Sequence, residues 1–279
     1  MIRIITDSTS DLSAQDAKKL GIDIVPLTVH FGEESYRDGV EITPTEFFEK
    51  LSKAAELPTT SQINPEEFIA KFQGYVDAGD EVVGIFLSSD LSGTCQSAHI
   101  AKTAVGGERV FVVDSRTVTF GLGLLVTEAC RLRDEGQSAA EIAAECTRLT
   151  GKIRLFAALD TLKYLKMGGR ISPTTAMVGG LLGISPIVSV AEGKVEAAGK
   201  ARGRKGALGW IAKTMESCPP DLTYGIAFGH TAAPEAMAEC MARFPELIGA
   251  APFVITGEIG SVVGTHGGPG AAGIAYFEK

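Results

Sequence analysis

The chain of 279 residues has no apolar run long enough to span a bilayer. Its longest, AMVGGLLGI, is broken by glycines and soon followed by Pro186, short of the ~20 residues a membrane helix needs. It has no CxxC pair. Its five cysteines, Cys95, Cys130, Cys146, Cys218 and Cys240, are odd in number and widely spaced, which fits free thiols in a reducing compartment better than a disulfide framework. His30, His99 and His230 have no partner at metal-ligand spacing, so no metal site is expected. No GxxxxGK[ST] element is present, which excludes a nucleotide-binding loop of that type. MIRIITDS, the first stretch, reads as a strand rather than a secretory leader, so a cytoplasmic protein is expected.

Positive charge is also scarce. The net charge is −8, and an acidic chain is a poor general binder of nucleic acid or of anionic membrane. The charge is uneven, however: Lys152 to Lys213 holds 11 Lys/Arg against 3 Asp/Glu, leaving 15 against 31 elsewhere. Such a basic segment is either a solvated surface or a face for an anionic ligand or acidic partner. Hydrophobic content of 45% and charged content of 22% are ordinary for a globular protein. The 33 glycines point to tight turns or close backbone approaches.

The first half alternates short apolar runs (IRIIT, IDIVPLTVHF, VVGIFLS, RVFVVDS) with helical patterns. TPTEFFEKLSKA carries Thr43 as N-cap, Pro44 at the first helical position and Glu46 two residues on. Strand and helix in alternation predict a parallel, Rossmann-like sheet. The second half reads as α+β, with six strands (LFAALD, SPIVSV, KVEAAGKA, YGIAFGH, FVITGE, AAGIAYFE) in a mixed or antiparallel sheet. The turn AEG joins two of them as a hairpin. The expected fold is therefore α/β, with an N-terminal Rossmann-like domain over 1–151 and a C-terminal α+β domain over 152–279.

Four places carry candidate chemistry. PTTSQINP sets Thr59, Thr60, Ser61 and Gln62 between two helices. SSDLSGTCQSA follows a strand and opens a helix, where free N–H groups and the helix dipole favour an anion. There Ser92 either faces a ligand, beside the bare backbone of Gly93, or only caps its helix. GTHGGPGAAG reads as a glycine loop carrying His266. Its formal GxGxxG is no dinucleotide fingerprint, because a strand rather than a helix follows. Finally, Arg170 of the Gly-Gly-Arg turn precedes a small-residue segment. Ala176, Gly179, Gly180 and Gly183, with Met177, Val178, Leu181, Leu182 and Ile184, form either a hydrocarbon slot or a packed helix.

The order of these signals resembles the DegV family, whose studied members bind fatty acids. The resemblance runs through ITDSTSDL, VPLTV, YRDGVEIT, PTTSQ, SSDLSGTCQSA, VVDSRTVTFGLG, DTLKYLKMGGRIS, GKARGRKGAL and GSVVGTHGGPGA, essentially the whole chain. The family pattern often carries an aromatic after SGT, where this chain has Cys95. The resemblance implies a long-chain fatty acid lying in a tunnel of the C-terminal domain, its carboxylate near the domain junction. It implies Thr60, Ser61, Ser92, Gly93, Thr94, His266, Gly267 and Arg170 as ligand-binding residues. It implies no cofactor and no catalysis by this chain, and a separate fatty acid kinase subunit that forms the acyl phosphate. Arg170, Arg202, Arg204 and Lys205 of the basic segment are then candidates for docking that subunit or for stabilising the acyl phosphate. The competing expectation is a serine hydrolase or acyltransferase, with Ser92 as nucleophile, His266 as base and Asp7 as orienter, although SSDLSGT is not a G-x-S-x-G elbow.

Overall fold

The computed structural model describes residues 1–172 and 183–279. Along the chain come β1 (Ile2–Asp7), a 3₁₀ turn (Ser8–Ser10), α1 (Ala14–Leu20), β2 (Ile22–Val25), β3 (Thr28–Phe31), β4 (Glu34–Arg37), α2 (Pro44–Lys53) and β5 (Thr59–Ser61). Then follow α3 (Pro65–Asp77), β6 (Glu81–Phe86), α4 (Thr94–Ala104), β7 (Val110–Asp114), α5 (Phe120–Asp134) and α6 (Ala139–Thr150). The second half holds β8 (Ile153–Ala158), α7 (Lys163–Met167), β9 (Ile184–Ala191), β10 (Lys194–Arg202), α8 (Gly203–Met215) and β11 (Ile226–His230). It ends with α9 (Pro234–Met241), α10 (Pro245–Ala250), β12 (Val254–Glu258), α11 (Ser261–Gly267) and β13 (Ala272–Phe277).

Three sheets result. The strand order β2-β1-β6-β7 is parallel throughout. The second sheet, β10-β9-β8-β13-β11-β12, is antiparallel except for the β11–β12 pair. All six strands expected for the second half are in it, and β9 and β10 form the expected hairpin. The third sheet, β4-β3-β5, is small and antiparallel, and the sequence pattern does not reveal it. IDIVPLTVHF, expected as one strand, divides at Pro26, which has no N–H for a ladder. Its first part stays in the parallel sheet; its second part, β3, turns into the small sheet.

Alternation in the strands decides the layering. On β1, Ile4 packs with α5 and α6 while Ile5 packs with Phe68 and Phe72 of α3 and with Ala98 of α4. α5 is buried on nearly every side, since Leu122, Leu125 and Val126 join a core that also takes in Val190, Ala227, Ala275 and Phe277 of the six-stranded sheet. A methyl group on Gly123 would come within 2.8 Å of the Ser10 carbonyl, so only a bare backbone lets this helix pass so close. The outer face of the six-stranded sheet is covered by α8, α9 and α10 through Leu208, Ile211, Cys240 and Leu247.

Local signals set the helix ends. Thr43 and Glu46 form a reciprocal capping box at α2, as expected, and Ser13 and Ser138 do the same for α1 and α6. Cys95, Cys130, Cys146 and Cys240 are buried free thiols whose pKa burial pushes up to about 12. Among the described residues no helix is long and apolar enough to cross a membrane.

Candidate functional site

In an open parallel sheet, ligands bind outside the carboxyl ends of the strands where strand order reverses. Here the chain goes from β1 outward to β2 and returns to β6 on the other side, so the crevice lies beyond Asp7 and Phe86. Asp7 fills the base of it. Its carboxylate accepts from Thr9 N at 2.9 Å, Thr9 Oγ1 at 2.6 Å and Leu87 N at 2.8 Å. Burial pushes its pKa up to about 6, against the pull of those donors.

Above Asp7 opens a cavity of about 410 Å³, lined on one side by Thr9, Leu87, Leu91 and the start of α5, and on the other by the face of the six-stranded sheet. Its two ends differ in chemistry. Thr60, Ser61, Gln62, Ser92, Gly93, Arg170, His266 and Gly267 gather at one end. Ala227, Gly273, Ala275, Val188, Val190 and Leu155 form the wall beyond them. Seven of the residues expected at the site therefore meet on one cavity. Thr94 does not: it is fully buried in the first turn of α4 and does not line the cavity.

The polar end is assembled from four separate elements. Thr60 lies on β5, where its Oγ1 meets His266 Nε2 at 3.0 Å. His266 is not on a loop, as GTHGG suggested, but in the last turn of α11. Two glycines in seven residues argue against a helix by propensity, and tertiary contacts overrule it. Asp38 Oδ1 accepts from Ser261 N (2.8 Å) and Ser261 Oγ (2.6 Å), and Asp11 Oδ1 accepts from Gly260 N (2.8 Å). These carboxylates satisfy the first free N–H groups and complement the helix dipole. Burial raises the pKa of both. A side chain at Gly264 would strike the rings of Phe47 and Phe48 at 2.8 Å, so the helix packs directly onto α2.

His266 is half-buried, and burial together with the charge of Arg170 pushes its pKa down to about 4. It is neutral at pH 7. Its Nδ1 is buried and has no hydrogen-bond partner among the described residues. A methyl on Gly168 would lie 2.2 Å from that atom, so the glycine of the Gly-Gly-Arg turn makes room for the ring. Arg170 is pinned by carbonyls: Nε donates to Leu91 O at 3.3 Å and Nη1 to Gly168 O at 2.7 Å. Among the described residues it has no ion-pair partner, so a positive charge stands at the polar end. Gln62 Nε2 donates to Ser97 Oγ at 3.0 Å, and its Oε1 lies over Gly93, where a Cβ would be 2.0 Å away.

The N-cap of α4 is Gly93, not Ser92. Ser92 Oγ bonds Thr94 Oγ1 at 3.0 Å and accepts from Thr94 N at 3.3 Å. The hydrolase arrangement is not assembled. The partner of Ser92 Oγ is Thr94, that of His266 Nε2 is Thr60, and Asp7 uses both oxygens on Thr9 and Leu87.

Arg202, Arg204 and Lys205 do not line the cavity. Arg202 and Lys205 are exposed where β10 meets α8, and Arg204 reaches Asp160 Oδ1 at 3.4 Å. The expected slot residues at 176–182 lie outside the described residues; Ile184 opens β9, pairs with Arg202 and does not line the cavity. Cys95 packs into the core on the α3 and α4 side, 1% exposed, so the departure from the family pattern falls outside the cavity lining. Thr119, Phe120, Thr231 and the small residues of β11 and β13 are missed by sequence reasoning. For the strand residues the signal is the period-2 alternation in YGIAFGH and AAGIAYF, and Thr119 and Phe120 lie within VVDSRTVTFGLG.

A family model described as "Uncharacterised protein, DegV family" matches residues 1–279. A DegV domain-containing protein of Caldanaerobacter subterraneus is 38% identical over 279 residues, covering 100% of this chain and 99% of the relative. A solved DegV family protein from Thermus thermophilus, described by its fatty acid binding, is 36% identical with a TM-score of 0.91, over 100% of this chain and 99% of that one. A stearic acid-binding protein from Eubacterium ventriosum is 29% identical with a TM-score of 0.88, over 100% and 99%.

Proposed function

The chain belongs to the DegV family, and we propose that it binds a long-chain fatty acid in the cavity described above. The observation that carries this reading is the division of that cavity, with hydroxyls, an imidazole and a guanidinium at one end and Ala, Gly, Val and Leu along the rest. A carboxylate leaving water needs replacement donors, or its burial costs several kcal/mol. In this reading His266 Nε2–H donates to Thr60 Oγ1, whose own O–H is thereby aimed, with Ser92 Oγ and a backbone N–H at the start of α4, at the carboxylate, and Arg170 balances the charge. The apolar wall takes the tail. At roughly 0.8 kcal/mol per buried CH₂, a 16-carbon chain contributes on the order of 10 kcal/mol before ordering costs. The tail sets affinity and the polar end sets orientation. The fatty acids named for solved relatives of the same fold support this assignment.

We take 1–151 and 152–279 as the two units between which the head group is held. The protein itself carries out no chemistry in this reading. It presents the acid to a separate fatty acid kinase subunit, which makes the acyl phosphate, and Arg170, Arg202 and Arg204 receive that subunit.

Native mass spectrometry of the purified protein, followed by denaturation and lipid extraction, tests the binding step. A retained fatty acid that is lost in a Thr60→Ala/Ser92→Ala double variant is the expected result. A protein that holds none and takes up no added long-chain acid overturns the reading.

A further inference from the structure

The face of the six-stranded sheet that lines the cavity is organised in rows, because alternate residues point the same way and the strands are in register. One row pairs Ala157 of β8 with Gly273 of β13 and Gly229 of β11; the next pairs Leu155 with Ala275 and Ala227. All six line the cavity. The β13 and β11 side chains in these two rows are therefore Gly and Ala only (Ile274, which also borders the cavity, packs with the other face). The Phe120 ring fills the space over Gly229, where a Cβ would lie 2.4 Å from it, so the open trough runs along β13.

The following row is different. It pairs Ile153 with Phe277. Neither lines the cavity, and both are buried in the core formed with α5, at 4% and 1% exposure. Phe277 is braced from behind by Tyr224, ring centroids 4.8 Å apart. On the β11 side the row is closed by Phe253, whose ring lies where a Cβ of Gly225 would be, at 2.2 Å. Among the described residues the trough runs small, small, then aromatic.

From this we infer that Phe277, with its register partner Ile153, is the floor of the cavity and sets the longest acyl chain the protein takes. The inference rests on the fatty-acid reading and deepens it: the tail lies along β13, and its last methyl meets the Phe277 ring. One row of the sheet spans ~6.6 Å, the length of about five methylenes.

Two variants move the floor in opposite directions. Ala275→Leu places a branched side chain in the lowest open row, and Phe277→Ala opens the next one. Each folded variant, checked by circular dichroism, is offered an equimolar ladder of saturated acids from 12 to 22 carbons, and the bound species are read by native mass spectrometry. The expected result is a shift of the most-bound acid by about two to five carbons, shorter for Ala275→Leu and longer for Phe277→Ala, within the one-row limit. Wild type that binds no acid sinks the fatty-acid reading itself. Wild type that binds, with an Ala275→Leu profile unchanged from it, sinks the floor assignment alone. Ala275→Leu keeps the test open should Phe277→Ala fail to fold.

Discussion

Thr60 and His266 are separated by 206 positions in sequence, yet their side chains meet at 3.0 Å. Thr60 is held by the small antiparallel sheet and His266 by a helix whose first N–H groups are gripped by Asp11 and Asp38. Removing the hydroxyl alone tests what the pair does. Thr60→Val is expected to weaken fatty acid binding by ten- to a hundredfold, the range for a hydrogen bond to a charged group, ~1.5–3 kcal/mol. Isothermal titration with a long-chain acid checks it, and an affinity unchanged within twofold refutes a role for Thr60 at the head group.

Gly168 has an ordinary backbone conformation, φ −76°, so alanine there is not strained by its own dihedrals. Its methyl meets the His266 ring instead. Gly168→Ala is expected to lower fatty acid affinity severalfold and to shift the His266 ring resonances, with the circular dichroism spectrum unchanged. Unmoved ring resonances would show that the space beside Nδ1 is not needed.

The depressed pKa of His266 makes stability depend on pH. Its folded value of about 4 lies below the ordinary 6.5, so between these values the unfolded chain binds more protons. Stability contributed by keeping the ring neutral is therefore full above pH 6.5 and is lost as pH falls toward 4, up to ~3 kcal/mol. Asp7 opposes this over much of the same window: its pKa is raised from 3.8 to about 6, so its contribution is fullest at low pH and is lost as pH rises to about 6. Urea midpoints of wild type and His266→Gln from pH 4 to 7 separate the two. The wild type should lose stability relative to the variant as pH falls, and a constant gap would contradict the shift.

Ser92 bonds Thr94 and not an imidazole, so it has no base to activate it. Incubation with a fluorophosphonate probe should leave it unlabelled, with bound lipid retained. Stoichiometric labelling of Ser92 would revive the hydrolase reading.

Arg202 is exposed and away from the cavity lining. Arg202→Glu should leave fatty acid affinity within about twofold and slow a reconstituted kinase assay at least tenfold, about 1.4 kcal/mol. Equal turnover of variant and wild type removes Arg202 from the docking face.

Much of this arrangement is legible in the sequence because local chemistry and final environment agree. β-branched runs such as VVGIF become buried parallel strands, and Thr43 with Glu46 caps α2 as their spacing demands. His266 stands out because it sits among glycines, and Thr60 and Ser92 because hydroxyls cluster between helical or strand segments in PTTSQ and SSDLSGT. What is not legible depends on partners distant in sequence. GSVVGTHG is a poor helix by propensity, and it becomes one through Asp38, Asp11 and the Phe47 and Phe48 rings. The turn of IDIVPLTVHF into a second sheet needs β4 and β5 as partners for β3. The trough on β13 is written as Gly273 and Ala275 alternating with Ile274 and Tyr276, and small residues of this kind look like a weak strand in a bare sequence.

Asp7 at the end of β1 has one more consequence. The hollow beyond the parallel strands is the place where a doubly wound sheet ordinarily draws in phosphate, by backbone N–H groups left without partners. In this protein the N–H groups of Thr9 and Leu87 point at a carboxylate the chain itself supplies. A free nucleotide approaching that hollow meets a resident anion with its donors already engaged. The first sheet thus carries its own anion on donors that are already taken, and recognition passes to the groups just above it, where Thr60, Ser92, Arg170 and His266 stand.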